Sequence, residues 1–162
     1  KRSLNDDYTE HVEYLADEAT LPIGLIEHMQ KHIGDFGSVV SWHASFENTQ
    51  NRNMAVMYPE KQEFLQGLID RTMDLEDPFK EGYVDINFQG STSIKKVLPV
   101  LVPELDYVGM EVASGTDAME AWQRLINQPN GPEKDELRKL MLEYCELDTF
   151  AMVRIFNFIE EL

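Results

Sequence analysis

Two side chains near the carboxyl end of the sequence, Tyr144 and Asp148, have residue types and a spacing that suit chemistry. Four residues apart, they share one side of a helix. Apolar residues recur around them at steps of three and four, which predicts a long helix over 133–159 with this side buried. A carboxylate that leaves water without a partner is strongly destabilising. Asp148 is therefore expected to be paired, protonated or bound to a metal.

A second candidate carboxylate, Glu47, follows the short segment 38–42, whose apolar residues predict a strand in the interior of a sheet. Open α/β sheets place their chemistry just outside the carboxyl ends of their strands, and Glu47 falls in that position. An acidic residue in the first turn of a helix is also common because it interacts favourably with the helix dipole. Taken alone, Glu47 can therefore also be interpreted as an ordinary solvent-exposed glutamate in the first turn of a helix.

Composition indicates an ordinary globular chain. Of the 162 residues, 43% are hydrophobic and 27% are charged, which excludes a disordered chain. The longest apolar stretch, 97–102, is interrupted by Pro99 and is far too short to cross a bilayer. The single cysteine, Cys145, cannot form an internal disulfide and fits a reducing compartment. We expect a cytoplasmic protein without a membrane segment.

The net charge of −16 argues against a simple nucleic-acid-binding domain, because phosphates are bound through Lys and Arg. An acidic chain can still process nucleic acid if divalent cations neutralise the site and a local basic strip guides the strand. The alternative is that the acidic surface only keeps the domain soluble.

The order of predicted elements is typical of an α/β fold. Helices are expected at 21–33, from a cap at Ser45 to before Pro59, and at 61–69, 91–101, 115–127 and 133–159. Strands are expected at 38–42 and 71–75, an extended or loop segment at 82–90, and a strand end within 8–16. In the helix after Ser45, the side chains of Phe46, Met54 and Met57 are expected to point inward.

Three segments resemble the DnaQ-like, RNase H-like 3′–5′ exonucleases of the DEDD type. The sequence SWHASFE at 41–47 is similar to their second motif, and YCELDT at 144–149 is similar to the tyrosine form of their third motif. The sequences GSTSIKKVLP at 90–99 and YCELDT at 144–149, taken together, resemble one subgroup more closely. This subgroup is an uncharacterised bacterial domain-of-unknown-function family with a predicted nuclease fold. The resemblance covers about 11–162.

The resemblance implies an α/β, RNase H-like mixed sheet flanked by helices. Residues 1–162 would form a single exonuclease-type domain that lacks its first strands here and is the carboxyl-terminal part of a larger domain and protein. The implied function is a metal-dependent 3′–5′ exonuclease-like phosphodiesterase that acts on DNA or RNA, with a neighbouring nuclease domain as a further partner.

The resemblance also implies a site that binds two divalent cations, Mg²⁺ or Mn²⁺, through carboxylates. Asp148 would be one metal ligand and Glu47 would occupy the second-motif position, while Tyr144 would orient the attacking water. His43 stands where an Asn is common and Glu47 replaces the usual Asp. His43 is assigned to substrate binding.

The loop before the predicted helix at 91–101 is a candidate phosphate cradle. Ser91 and Ser93 lie at the amino end of this helix, and Lys95 follows them. Helix amino termini attract anions, so these side chains are assigned to substrate binding. An ordinary helix cap explains the same residues.

The first motif of such exonucleases, Asp-x-Glu on an opening strand, is missing before residue 38. Asp74 and Glu76 have the spacing but follow the second motif, so we treat them as unrelated to it. The 162 residues alone are therefore expected to bind metal poorly and to lack nuclease activity. His28 and His32 have the four-residue spacing of a metal-binding pair, but no third ligand is close in the sequence.

Two alternatives remain at the level of sequence. The first alternative to a nuclease is a non-catalytic protein-interaction module that keeps the nuclease fold. The second is a structural segment. In the structural case Asp148 would hydrogen-bond Tyr144 or backbone amides in the core.

Overall fold

A computed structural model describes residues 10–162, so the expected strand end near Tyr8 lies in part outside the described residues. Residues 10–22 of the described chain form no regular element. The helices and strands that follow are α1 (Ile23–His32), β1 (Val39–Ser41), α2 (Ala44–Met57), a 3₁₀ turn (Pro59–Lys61), α3 (Gln62–Asp70), β2 (Thr72–Asp74), α4 (Asp77–Glu81), a second 3₁₀ turn (Ile86–Phe88), α5 (Ile94–Leu101), α6 (Gly115–Asn127) and α7 (Pro132–Glu160).

The described chain divides into two compact units. The first comprises 10–34 and 109–147 and contains α1, α6 and the first half of α7. The second comprises 35–108 and 148–162 and contains every other element together with the second half of α7. No helix within 10–162 is both long enough and apolar enough to span a membrane.

In the first unit, the irregular segment before α1 is held by side chains of α6 and α7. The Trp122 indole Nε1 donates a hydrogen bond to the carbonyl of Ala16 across 2.8 Å. Arg138 donates to the carbonyl of Leu15 and pairs with the carboxylate of Asp17, each across 3.3 Å. These contacts satisfy carbonyls that would otherwise lack partners, so the segment is fixed without joining a helix or sheet.

The imidazole pair of α1 also belongs to the first unit. The rings of His28 and His32 lie 4.5 Å apart, centroid to centroid, and Tyr14 lies 5.2 Å from His28. This four-residue spacing therefore produces a cluster of tilted aromatic rings.

The second unit is built on a parallel β-α-β crossover. Val39 pairs with Thr72 and Ser41 with Asp74, so β1 and β2 run in the same direction. Parallel strands need a long connection, and α2 and α3 provide it here while packing against each other. Because both strands end at the same edge, the residues that follow Ser41 and Asp74 meet there.

The structure confirms an α/β chain but corrects the expected sheet. Within 10–162 the sheet contains two parallel strands, the chain is mostly helical, and no RNase H-like mixed sheet is evident. The segment 82–90, expected to be extended or a loop, is a loop that contains a 3₁₀ turn. The Asp85 carboxylate starts this turn by accepting a hydrogen bond from the Asn87 N–H across 2.7 Å.

Helix bounds agree closely with the sequence pattern, but α4 was not predicted and α5 begins three residues later than expected. The cap position of α2 is His43 and not Ser45, which is exposed inside the first turn. Met54 is buried as expected, whereas the side chains of Phe46 and Met57 are exposed. The expectation that all three point inward was wrong, because α2 buries only a narrow face.

The long helix α7 buries much of the face that the pattern predicted. Its buried side chains are those of Leu137, Met141, Tyr144, Ala151 and Ile155. Asp148 falls on the same helical period but is only half-buried.

Candidate functional site

The carboxyl ends of β1 and β2 bring together a group of polar side chains that are far apart in sequence. We call His43, Asp74, Glu76, Lys80 and Thr92 the strand-end cluster. All five belong to the second unit. The register between Ser41 and Asp74 explains the grouping, since each strand turns away after its last paired residue.

Asp74 fixes the start of α2 from the neighbouring strand. Its Oδ1 accepts a hydrogen bond from the His43 backbone N–H across 2.9 Å, and its Oδ2 accepts one from the Ala44 N–H across 3.1 Å. The same Oδ1 accepts from the Glu76 N–H across 3.1 Å. The first N–H groups of a helix lack partners within it, so Asp74 takes the role of an N-cap supplied by another element.

Glu76 is a buried carboxylate with three side-chain partners. Thr92 Oγ1 donates to it across 2.5 Å, the Lys80 ammonium lies 2.9 Å away, and His43 Nδ1 lies 3.0 Å away. Burial disfavours the charged form, but the hydrogen bonds from these three groups outweigh it and lower the pKa of Glu76 below its ordinary value. Glu76 is therefore ionised at neutral pH.

The Lys80 ammonium lies among three carboxylates. Its Nζ is 2.9 Å from Glu76 Oε2, 3.3 Å from Asp74 Oδ2 and 3.2 Å from Asp77 Oδ1. The hydrogen bond to Glu76 is the largest of the effects that raise the pKa of Lys80. This single positive charge offsets part of the negative charge of the three carboxylates.

His43 has a backbone conformation that few residues other than glycine adopt. Its φ is +61° and its ψ is +54°, in the left-handed region. The contacts with Asp74 and Glu76 hold both its backbone and its ring in place. Its side chain is nevertheless 63% exposed to solvent.

Glu47 lies one helical turn after His43 and is exposed. The pKa of Glu47 is raised, chiefly because surrounding protein displaces water from the carboxylate. The negative charge of Asp74 raises it further, while its own backbone N–H and the charge of His43 oppose the change. The strand-end cluster therefore acts electrostatically on Glu47.

Asp148 also belongs to the second unit, where its partner is a tyrosine that the sequence analysis did not select. The Tyr107 hydroxyl donates to Asp148 Oδ1 across 2.6 Å. The Lys95 ammonium lies 5.6 Å from the centre of the Tyr107 ring, within the range of a cation–π contact. Tyr144, which the resemblance assigned to orienting the attacking water, is a buried residue of the first unit.

The two predicted metal ligands have different surroundings. Glu47 is influenced by His43 and Asp74, whereas Asp148 is bound by Tyr107. Among residues 10–162, no group of three or more His, Cys, Asp or Glu side chains is arranged to hold a metal ion. The described residues therefore supply oxygen donors of the right chemical type but not a complete metal site.

The predicted phosphate-binding loop reaches the strand-end cluster through the residue at its centre. Thr92, which the sequence analysis did not assign, donates to Glu76, while Ser91 Oγ accepts from the Ser93 backbone N–H across 3.2 Å. Ser93 occupies the cap position of α5 but makes no side-chain capping bond. The hydroxyls of Ser91 and Ser93 thus lie on either side of a threonine whose role in the structure is to bind Glu76.

Two polar atoms next to His43 are buried without a hydrogen-bond partner in the described part of the chain. They are the Ser41 hydroxyl, whose residue is 8% exposed, and the Trp42 indole nitrogen. Buried polar groups in folded proteins nearly always have partners, so each such exception requires an explanation.

Comparison with known proteins gives a family and one relative. The family model described as "Domain of unknown function (DUF2779)" matches residues 2–93, more than half of the chain. The chain is 30% identical to "Uncharacterized protein MG366" of Mycoplasma genitalium in an alignment of 146 residues, and the match covers 82% of this chain and 22% of that protein. No solved structure matches. The matched range contains the entire strand-end cluster and Glu47, but not Asp148.

Proposed function

This chain belongs to the DUF2779 family, and from that premise and the strand-end geometry we propose that it forms part of a phosphodiester hydrolase that acts on DNA or RNA. The sequence resemblance to DnaQ-like 3′–5′ exonucleases supplies the reaction class. The chain spans 22% of the length of the Mycoplasma relative, so the proposal concerns the intact protein and not these residues alone.

The observation that carries the proposal is the meeting of His43, Glu47 and Asp74 at the carboxyl ends of two parallel strands. In α/β proteins this edge is the usual place for a ligand. A carboxylate with a raised pKa beside a left-handed histidine adds two features that are common at functional sites.

A divalent cation is part of this proposal, and the described residues fit it only in part. Carboxylate oxygens such as those of Glu47 and Asp148 suit Mg²⁺ or Mn²⁺. When bound, such ions activate a water molecule and stabilise the leaving oxygen of the phosphodiester. The site within 10–162 is incomplete, and Lys80 already neutralises Asp74 and Glu76. The proposal therefore requires further oxygen ligands from outside these residues.

Substrate contacts are proposed for the polar side chains of the second unit. The imidazole of His43 is accessible, and the Lys95 ammonium lies near the Tyr107–Asp148 pair, where it can attract a phosphate. Ser91 and Ser93 precede the helix that carries Lys95. One basic strip of this kind offers an acidic chain a route to bind nucleic acid.

The test is degradation of 3′-labelled single-stranded DNA and RNA by the intact protein with Mn²⁺. We expect degradation that stops with EDTA, and losses of about 100-fold or more in kcat for E47Q and D148N, as for groups that act on the reacting centre. The matched control is E63Q, which changes an exposed glutamate of α3. An intact protein that binds Mn²⁺ but leaves both nucleic acids uncut would overturn the proposal.

A second candidate function is a non-catalytic interaction module, for example one that binds a neighbouring nuclease domain. It is favoured by two contacts that involve no metal ion. The Lys80 ammonium pairs with the Glu76 carboxylate, and the Tyr107 hydroxyl donates to the Asp148 carboxylate. This alternative predicts that neither Mn²⁺ nor EDTA changes the melting temperature of the intact protein. A hydrolase that binds Mn²⁺ gains stability with increasing Mn²⁺ concentration.

A further inference from the structure

We propose that His43 Nε2 accepts the proton of the attacking water in this hydrolysis, and that Glu76 is the residue that positions its ring. The inference rests on the proposed function and adds to it a catalytic group that the sequence resemblance does not supply. In this proposal His43 acts on the attacking water, whereas the resemblance gave that task to Tyr144, which is buried in the first unit.

The contact with Glu76 determines which nitrogen of His43 holds the proton. An ionised carboxylate only accepts hydrogen bonds, so the ring nitrogen 3.0 Å from Glu76 Oε2, Nδ1, must be the donor. In the neutral ring, Nε2 then has a free electron pair. The side chain is 63% exposed, so a water molecule or a substrate can approach the ring. Carboxylate–histidine pairs orient catalytic imidazoles in this way.

The backbone provides an observation that does not depend on the ring contact. A left-handed conformation at a residue other than glycine costs about 1–3 kcal/mol and persists only where its surroundings enforce it. Here Asp74 enforces it by accepting from the N–H groups of His43 and Ala44. The cap of α2 thus fixes the direction in which the imidazole leaves the backbone.

The buried Ser41 hydroxyl is a further independent observation at this edge. It belongs to the last residue of β1, two positions before His43, and has no hydrogen-bond partner within the described chain. Together with the equally buried Trp42 Nε1, it leaves two polar atoms unsatisfied beside the histidine. A bound polar molecule would remove this cost.

The proposed step balances in atoms and charge. The water oxygen attacks phosphorus and forms a P–O bond while its proton passes to His43 Nε2. The bond between phosphorus and the 3′-oxygen breaks, and that oxygen leaves with the electron pair and takes a proton from solvent. The resulting imidazolium, stabilised by the Glu76 carboxylate, releases its proton to solvent. Imidazole suits this role because it gains and loses a proton near neutral pH.

Charged groups surround His43. Glu76 contacts Nδ1, Asp74 binds the backbone, and Glu47 follows one turn later on α2. The ammonium of Lys80 contacts Glu76 and Asp74.

The test uses the intact protein with H43Q and E76Q, and H11Q as the matched control. His11 also contacts a glutamate, Glu13, across 3.2 Å, but this pair is exposed in the first unit. We expect H43Q to lower kcat by about 10²–10⁴-fold, as for loss of a general base, with little change in KM. E76Q, which keeps the imidazole but removes the carboxylate that orients it, should lower kcat by less than H43Q does.

A readout without turnover is the ¹⁵N spectrum of the imidazole rings. Wild-type His43 should hold its proton on Nδ1 at pH 8, and E76Q should mix the two tautomers, while His11 stays unchanged. If the intact wild type does not cut nucleic acid, the proposed function and this inference both fail. If it cuts normally and H43Q keeps its rate and pH profile, or if the proton is on Nε2, only the role of His43 is wrong.

Discussion

The backbone N–H of His43 donates a hydrogen bond to the Asp74 carboxylate across 2.9 Å, which joins the start of α2 to the end of β2. The helix has no side-chain cap of its own, so a residue 31 positions later in the sequence supplies one. The conformation of the candidate site therefore depends on correct pairing of the two strands.

Replacing Asp74 tests this dependence. In D74N one amide oxygen replaces two carboxylate oxygens that accept from His43, Ala44 and Glu76. We expect the free energy of unfolding to fall by about 1–2 kcal/mol, the usual cost of losing a helix cap and charge-assisted hydrogen bonds. Chemical denaturation measures it. D77N is the control, because Asp77 contacts the same Lys80 but caps no helix amide. Equal losses in both variants would show that the contact with Lys80, and not the cap, is what matters.

The Tyr107–Asp148 hydrogen bond gives a second prediction. Y107F keeps the buried ring and removes the hydroxyl that donates to Asp148 across 2.6 Å. Because the acceptor is a carboxylate, we expect a loss of about 1.5–3 kcal/mol in the free energy of unfolding. A double-mutant cycle with D148N isolates the pair. The expected result is that Y107F costs much less in the D148N background. Additive losses would mean that the hydroxyl acts through another group.

The sequence predicted the helices well because their evidence is local. For α6 the bounds agree with the pattern, and for α7 they differ by one residue at each end. Steps of three and four between apolar residues report one helix face directly. The same pattern overestimated burial in α2, where Phe46 and Met57 face solvent. A stripe predicts which side of a helix turns inward, but not how much of it a neighbouring element covers.

The candidate site was harder to predict because its contacts join distant segments. Asp74 and Glu76 were set aside because of their position in the sequence, although the register of β1 and β2 places them beside His43. Thr92 and Tyr107 lie in irregular segments, where no periodicity marks them. If residues 38–75 had been interpreted as a parallel β-α-β crossover, the sequence would have predicted this grouping, because parallel strands bring their carboxyl ends to one edge of the sheet.

Glu76 gives a third prediction, on the pH dependence of stability. Its folded-state pKa is lowered from 4.5, because the hydrogen bonds from Thr92, Lys80 and His43 together outweigh the effect of burial. A lowered carboxyl pKa contributes stability that is fully present above about pH 4.5 and lost as the pH falls through the folded-state value. E76Q should therefore be less stable than wild type at pH 7, by about 1–3 kcal/mol. The difference should shrink below pH 4.5.

Denaturation curves between pH 3 and pH 7 measure this difference. E63Q is the control for the general effect of removing one negative charge from a chain of net charge −16. A difference between E76Q and wild type that stays constant down to pH 3 would show that the charge of Glu76 does not stabilise the fold.

Glu47 gives a fourth prediction, of the opposite sign. Its pKa is raised from 4.5, chiefly by loss of water around the carboxylate, so folding disfavours its charged form. The contribution of Glu47 to the free energy of unfolding is therefore favourable below about pH 4.5, and it is lost as the pH rises through the folded-state pKa of Glu47. E47Q should thus be slightly more stable than wild type at pH 7 without divalent metal. The gain should stay below about 1 kcal/mol, because Glu47 is exposed and solvent screens its charge.

A divalent cation bound by Glu47 would reverse this order. In the intact protein with EDTA, the melting temperature of E47Q should equal or exceed that of wild type. With excess Mn²⁺, wild type should gain stability by mass action and E47Q should gain less. If E47Q melted below wild type in EDTA, the charged carboxylate of Glu47 would stabilise the fold even without a metal ion. If Mn²⁺ raised both melting temperatures equally, the carboxylate would not be a ligand, because a residue that binds a metal must lose part of that stabilisation when it is neutralised.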